Sequence, residues 1–233
     1  MKHAVVTPAE WETARMELLA KEKELTRARD ALSRARRELP WERVEKRYVF
    51  DGPNGEETLS DLFGGRSQLI VYHLMFAPDW AAGCKSCSFW ADNFERNVLH
   101  LAHRDATMIA VSRAPLSKLE AFKKRFGWTF KWVSSGRSDF NFDYRVSFEP
   151  GRGEAIYNFA PKTSSAPELP GISVFYKGED GALYRTYSTF GRGVELGNAA
   201  FQYLDLLPKG RDEEGLDYPM AWLRLRDEYD AAP

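Results

Sequence analysis

The 233-residue chain contains two cysteines, Cys84 and Cys87, joined in a single Cys-x-x-Cys. Two thiols spaced i to i+3 share one face of a helix and can meet there. The thiolate, not the thiol, attacks disulfides and peroxides. A helix N-terminus favours that anion through its free N–H groups and positive dipole end. Lys85, beside the first cysteine, is expected to lower the pKa further. Cys84, at the helix mouth, is the expected nucleophile. Cys87, one turn inside and more shielded, is expected to resolve the mixed disulfide. The chemistry this pattern predicts is dithiol–disulfide exchange.

A strand and a helix must hold that pair. Leu69-Ile70-Val71-Tyr72-His73-Leu74-Met75-Phe76 is apolar and rich in β-formers, as a strand covered on both faces should be. It breaks at Pro78-Asp79, and a helical pattern runs from Phe89 to Leu101. His100 and His103 follow the cysteines at a spacing close to a zinc finger's. One helix over residues 84–101 would put His100 about 24 Å from Cys84 at ~1.5 Å per residue. That leaves two ligands where structural zinc needs four, so no metal is expected. No other cofactor is implied either.

Composition narrows the classes. Hydrophobic residues make up 43% and aromatic residues 14%, which excludes a disordered or fibrous chain. A net charge of −1, from 33 basic and 34 acidic residues, asks for neither nucleic acid nor an anionic membrane. No apolar run reaches the roughly 20 residues of a membrane span. The start, MKHAVVTPAEWETAR, lacks a signal-type apolar stretch. A cytoplasmic protein is the expectation, and there a structural disulfide would be unusual and a Cys-x-x-Cys is more often catalytic or metal-binding.

The remaining elements read in order. Thr7-Pro8-Ala9-Glu10 is a capping box with Pro at the first helical position. Neither Gly nor Pro follows until Pro40, so a helix of about nine turns is predicted. Trp11, Leu18, Leu25, Leu32 and Leu39 fall seven apart along it, with Ala14, Lys21, Ala28 and Ala35 at the companion position. This narrow seam predicts a helix laid along its own domain or a homodimer contact. Val44–Phe50 and Glu57–Leu59 read as strands around Asp51-Gly52-Pro53-Asn54-Gly55. Further strands are expected at Thr107–Val111, Phe130–Val133, Ala155–Phe159, Ile172–Tyr176 and Leu183–Tyr187. Helices are expected at Pro115–Phe126, closed by Gly127, and at Val194–Leu206, with a short amphipathic piece over Met220–Tyr229. Alternating strands and helices predict an α/β layer structure. The expected organisation is an N-terminal helical extension (1–40), one α/β domain (41–207) and a C-terminal tail (208–233). Arg113, ending the strand beside the cysteine strand, is expected to steer an anionic substrate, stabilise the thiolate or form a structural ion pair. The polar loop holding Ser134, Ser135, Ser138, Asp139 and Asp143 reads as a turn satisfied by its own side chains.

Several segments taken together resemble one family. They are Trp11 to Arg15, Glu22 to Arg27, Tyr72-His73-Leu74-Met75-Phe76, Gly83-Cys84-Lys85-Ser86-Cys87-Ser88-Phe89 and Val111-Ser112-Arg113-Ala114-Pro115. With Trp128 to Asp143 and Lys209-Gly210-Arg211-Asp212-Glu213 they are similar, in order, to the DUF899 family. That resemblance implies a thioredoxin-like three-layer sandwich. A looser resemblance extends to the peroxiredoxins. It implies an alternative activity, a thiol peroxidase in which Cys87 captures a Cys84 sulfenate. A further alternative keeps the fold as a non-catalytic interaction protein. The departures are specific. Where peroxiredoxins carry a Thr three residues before the reactive cysteine, this chain has Ala81, and Pro78 lies six rather than seven before it. Where thioredoxins carry a Trp next to the first cysteine, Gly83 intervenes and Trp80 sits four back. The thioredoxin resemblance also implies a cis-proline facing the dithiol, for which Pro170 is the candidate, and a buried carboxylate, for which Asp79 is. The expected partners are a protein or small-molecule disulfide and a separate reductant.

Overall fold

The computed structural model describes residues 3–229. The chain divides into two units at Pro40 and Trp41. The first unit is one helix, α1 (Pro8–Arg37). Its start follows from its side chains: Thr7 accepts the Glu10 N–H, and the Glu10 carboxylate takes the Thr7 N–H at 2.9 Å. Arg34, Arg36 and Arg37 occupy the last turn, where cations complement the dipole. No residue of α1 is buried.

The second unit holds the remaining elements. In chain order they are β1 (Glu42–Arg43), β2 (Val49–Gly52), β3 (Gly55–Thr58), β4 (Gln68–His73), α2 (Lys85–Phe94), α3 (Asn97–Ala102) and β5 (Ala106–Ser112). Then follow α4 (Leu116–Phe126), β6 (Lys131–Ser134), α5 (Phe140–Asp143), β7 (Ile156–Tyr157), β8 (Ala160–Pro161), β9 (Gly171–Lys177), β10 (Leu183–Phe190) and α6 (Ala199–Leu204). Eight strands form one sheet in the order β1-β10-β9-β4-β5-β6-β2-β3. β4, β5 and β6 are parallel, whereas β9 runs antiparallel to β4 and β10 antiparallel to β9. With helices on one face and a thinner helical layer on the other, this is the thioredoxin-like sandwich, carrying a long N-terminal helix and a C-terminal extension.

Strand alternation divides the core. Along β4, Leu69 and Val71 face one side and Tyr72 faces the other, because successive side chains leave a strand on opposite faces. The Tyr72 side packs under α2 and α4 through Trp90, Phe94, Leu119 and Phe122. The other side is closed by α5 and a 3₁₀ turn, Asp61–Phe63, around Phe140. Residues after α6 close the helical face: Leu223 and Leu225 are buried, and Arg226 bonds Asp92 at 2.8 Å.

Several expectations change. The predicted helix through Leu101 breaks at Glu95 and Arg96, where the Glu95 carboxylate turns to accept Thr129 N–H at 2.8 Å. Of the span read as the strand Val44–Phe50 only Val49 and Phe50 are strand; β1 lies just before it, pairing with β10, and β2 runs on to Gly52, pairing with β3. Val194–Leu206 is a 3₁₀ segment, Gly191–Gly197, then α6, because Asn198 interrupts the helix and caps the Phe201 N–H. The Met220–Tyr229 piece keeps helical character only as a 3₁₀ turn, Arg226–Glu228. Gly127 closes α4 in the left-handed conformation, φ 65°, which glycine adopts without a Cβ penalty.

Phe140 is fully buried, with ring centres of Tyr144, Phe50 and Tyr48 at 4.4, 4.9 and 5.1 Å. Phe140→Ala should cost about 3–5 kcal/mol. Urea unfolding checks this, and the midpoint should fall with an unchanged slope.

Candidate functional site

The chain leaves β4 into the core and returns so that the Cys84 N–H donates to the Met75 carbonyl at 3.0 Å. That contact sets where α2 begins. Cys84 is its N-cap, and its carbonyl accepts both the Ser88 N–H and the Ser88 hydroxyl at 2.9 Å. Both cysteines are free thiols; Cys84 is half-buried and Cys87 is 2% exposed.

The two cysteines lie near each other on the first turn of α2. Cys87 donates to the Cys84 sulfur, the strongest of the influences holding the Cys84 pKa at about 6. Desolvation opposes it. The backbone N–H groups of Cys87 and Ser86 and the Ser86 hydroxyl favour the anion as well. The backbone groups act from outside cap hydrogen-bonding geometry, as dipole ends rather than as a closed cap. Cys87 moves the opposite way: burial and the neighbouring Cys84 push its thiol up. Two thiols with pKa values driven apart give one ready nucleophile and one held in reserve. Tyr72, 1% exposed on β4, donates its hydroxyl to Cys87 and eases this second ionisation.

The dithiol opens into a cavity of about 420 Å³. Its walls include Trp90 from α2, Tyr157 from β7, Pro170 before β9, Val194 from the 3₁₀ segment and Met220. Pro170 lines the same cavity as the two cysteines, and its peptide bond is trans rather than the cis form the resemblance implied, as is every bond among the described residues. Trans is the lower-energy form of an X-Pro bond, and the Pro170 carbonyl is anchored by the Tyr157 hydroxyl at 2.7 Å. Gly171 follows because a Cβ there would come within 2.8 Å of the Phe190 ring.

The other sequence candidates lie elsewhere. Lys85 turns to the C-terminal segment, donating to the Ala221 carbonyl at 3.3 Å, with its ammonium 5.8 Å from the Tyr218 ring centre. It is not among the groups that lower Cys84, because its long side chain carries the charge away. Trp80 is half-buried outside the cavity walls, and its carbonyl accepts Lys118 at 2.9 Å. Asp79 is exposed rather than buried, so no buried carboxylate stands there. Arg113 is held by Glu149 and, at 3.3 Å, by Glu168, and stacks over Phe142 at 4.3 Å. Burial raises Glu168 to about 7, against the pull of Ser147 and Arg113. Because Glu168 precedes Leu169 and Pro170, Arg113 steadies the loop that walls the cavity. His100 and His103 are exposed. In the polar loop, Ser135 bonds Asn141 at 2.9 Å and Asp139 pairs with Lys46 at 3.0 Å and Arg152 at 2.9 Å.

A family model described as "Bacterial protein of unknown function (DUF899)" matches residues 1–229. The chain belongs to this family. No curated protein matches the sequence. Solved structures similar to it include peroxidoxin BcpB from Mycobacterium tuberculosis, 12% identical, covering 71% of this chain and 97% of that one, TM-score 0.48. PrxQ from Xylella fastidiosa is 16% identical over 67% of this chain and 88% of that one, TM-score 0.42. The mitochondrial 2-cys peroxiredoxin from Plasmodium falciparum is 12% identical over 69% of this chain and 90% of that one, TM-score 0.42.

Sequence reasoning about this DUF899 chain missed Tyr72 and Tyr157 as site residues. Tyr72 was legible only as a buried strand residue, although strand alternation sets it on the same face as Leu74. Nothing local marked Tyr157, whose hydroxyl joins Pro170 to the Gly191 N–H at 2.8 Å.

Iodoacetamide alkylation of Cys84 should have its midpoint near pH 6. Cys87→Ala should move the midpoint back toward the free-thiol ~8.5, because it removes the strongest stabilising contact. A midpoint that stays put would assign the depression to the helix mouth alone. A depressed acid also links folding to pH. The stability that reduced protein gains over Cys84→Ser should be full above ~8.5 and fade as pH falls, vanishing below about 6. Urea unfolding at both ends of that window measures it.

Proposed function

We propose that this protein is a thiol–disulfide oxidoreductase working through Cys84 and Cys87. One observation carries the reading: two free cysteines share the first turn of α2, Cys84 half-buried at its N-cap and Cys87 buried one turn on. Cys84 attacks a substrate disulfide, forming a mixed disulfide and releasing one thiolate. Cys87 then loses its proton and attacks the Cys84 sulfur, closing the intramolecular disulfide and releasing the second thiol. Tyr72 supports the Cys87 thiolate during that step. The low Cys84 pKa also stabilises the reduced form at neutral pH, which makes the disulfide a readier oxidant.

A single turnover of reduced protein with hydroxyethyl disulfide tests this. The parent should release two thiols per chain, Cys87→Ser one with a mixed-disulfide adduct retained in the mass spectrum, and Cys84→Ser none. Release by Cys84→Ser equal to the parent's would sink the reading. Rapid consumption of hydrogen peroxide that requires Cys84, with no release from the disulfide, would favour a peroxidase instead.

We also propose that α1 pairs with the α1 of a second copy. Trp11, Leu18, Leu25 and Leu32 recur every seven residues and are each between 50% and 61% exposed, a seam whose burial needs a partner of the same period. Leu25→Lys should shift sedimentation toward monomer, with the far-ultraviolet circular dichroism otherwise retained.

A further inference from the structure

Most polar groups in the walls of the cavity beside the dithiol are already paired. The Trp90 indole N–H donates to the Val194 carbonyl at 2.8 Å. The Tyr157 hydroxyl donates to Pro170 and accepts from Gly191. Tyr72 is engaged with Cys87, and the Met220 N–H with Glu213 at 2.8 Å. At the rim the charges are paired with each other, although the Arg192 side chain stays 85% exposed. Arg192 and Glu195 face each other at 3.0 Å, and Glu195 also takes Arg211 at 3.2 Å. What remains for a ligand is mostly hydrocarbon, with two flexible thioethers from Met75 and Met220, the Ser86 hydroxyl beside Cys84, and the sulfurs themselves. Unbranched thioethers adapt to varied apolar shapes.

We propose that this cavity takes a small organic disulfide whose substituents are uncharged alkyl or aryl groups, an inference resting on the dithiol reading above. Its volume of about 420 Å³ falls within the range of small-molecule sites. A peptide disulfide such as glutathione disulfide would bring several carboxylates and ammonium groups to walls that offer one hydroxyl, Ser86, and one rim ion pair, Arg192 with Glu195, and burying the remainder unpaired is costly. An alkyl group leaves water for the Val194 and Trp90 surfaces at no such penalty. The reaction balances without an added reductant in a single turnover. The Cys84 thiolate attacks one sulfur of R–S–S–R, and the first RS⁻ takes a proton from solvent. Cys87 gives up its proton and displaces the second RS⁻, which takes that proton up. The protein loses two electrons to its new disulfide, and the substrate gains them as two thiols.

Stopped-flow oxidation of the reduced protein by dimethyl, diethyl and dipropyl disulfide tests this, alongside hydroxyethyl disulfide and glutathione disulfide. Each rate is normalised to attack by free 2-mercaptoethanol thiolate. The rate should rise about threefold to fourfold for each methylene entering the cavity, and glutathione disulfide should be at least tenfold slower than dipropyl disulfide. Met220→Glu should cut the dipropyl rate about tenfold once each rate is divided by the alkylation rate of Cys84 in the same variant, whereas Met220→Leu should keep the parent rate. Normalised rates that do not depend on chain length, or a preference for glutathione disulfide, would overturn the substrate class and leave the dithiol chemistry standing. If none of the five disulfides oxidises the protein, the dithiol reading falls and this inference with it.

Discussion

A buried thiol donating to a half-exposed sulfur is the contact on which the site depends. It works only because both groups ride the first turn of α2, where a three-residue step returns to the same face. Burial raises the inner thiol, and the raised thiol remains a donor to its outer neighbour. The asymmetry therefore comes from depth: one helix turn separates solvent from the apolar core.

Depth in turn is set by the sheet. β4 lies at the middle of the eight strands, and its alternation sends Tyr72 under α2 while His73 goes to the opposite core. There His73 bonds Ser173 at 2.9 Å and stacks on Phe140, and burial alone lowers its pKa to about 3, so it stays neutral. Adjacent polar residues on one strand thus have unrelated work. Tyr72 touches the dithiol, whereas His73 belongs to a packed core remote from it.

The cavity walls come from segments far apart in the chain. β7, the residues before β9, the 3₁₀ segment after β10 and Met220 near the C-terminal end converge on one helix mouth. Arg113 contributes indirectly, through the ion pair with Glu168 that steadies the approach to Pro170. Lys85, which adjacency alone would place on the thiolate, is drawn off by the Ala221 carbonyl.

Sequence alone was sufficient for local features: the capping box at Thr7, the buried β4 strand, the Gly127 stop and the placement of a Cys-x-x-Cys at a helix start. These depend on interactions within a few residues, which composition and spacing record directly. The family resemblance supplied the fold, and the strand order bears it out. Tertiary structure decided the rest: the break at Glu95, the engagement of Tyr72 with Cys87, the trans bond at Pro170 and the apolar chamber they share. Each of these is settled by contacts between residues a dozen or more positions apart. Periodicity along a chain carries no record of which distant segment will come to lie against it.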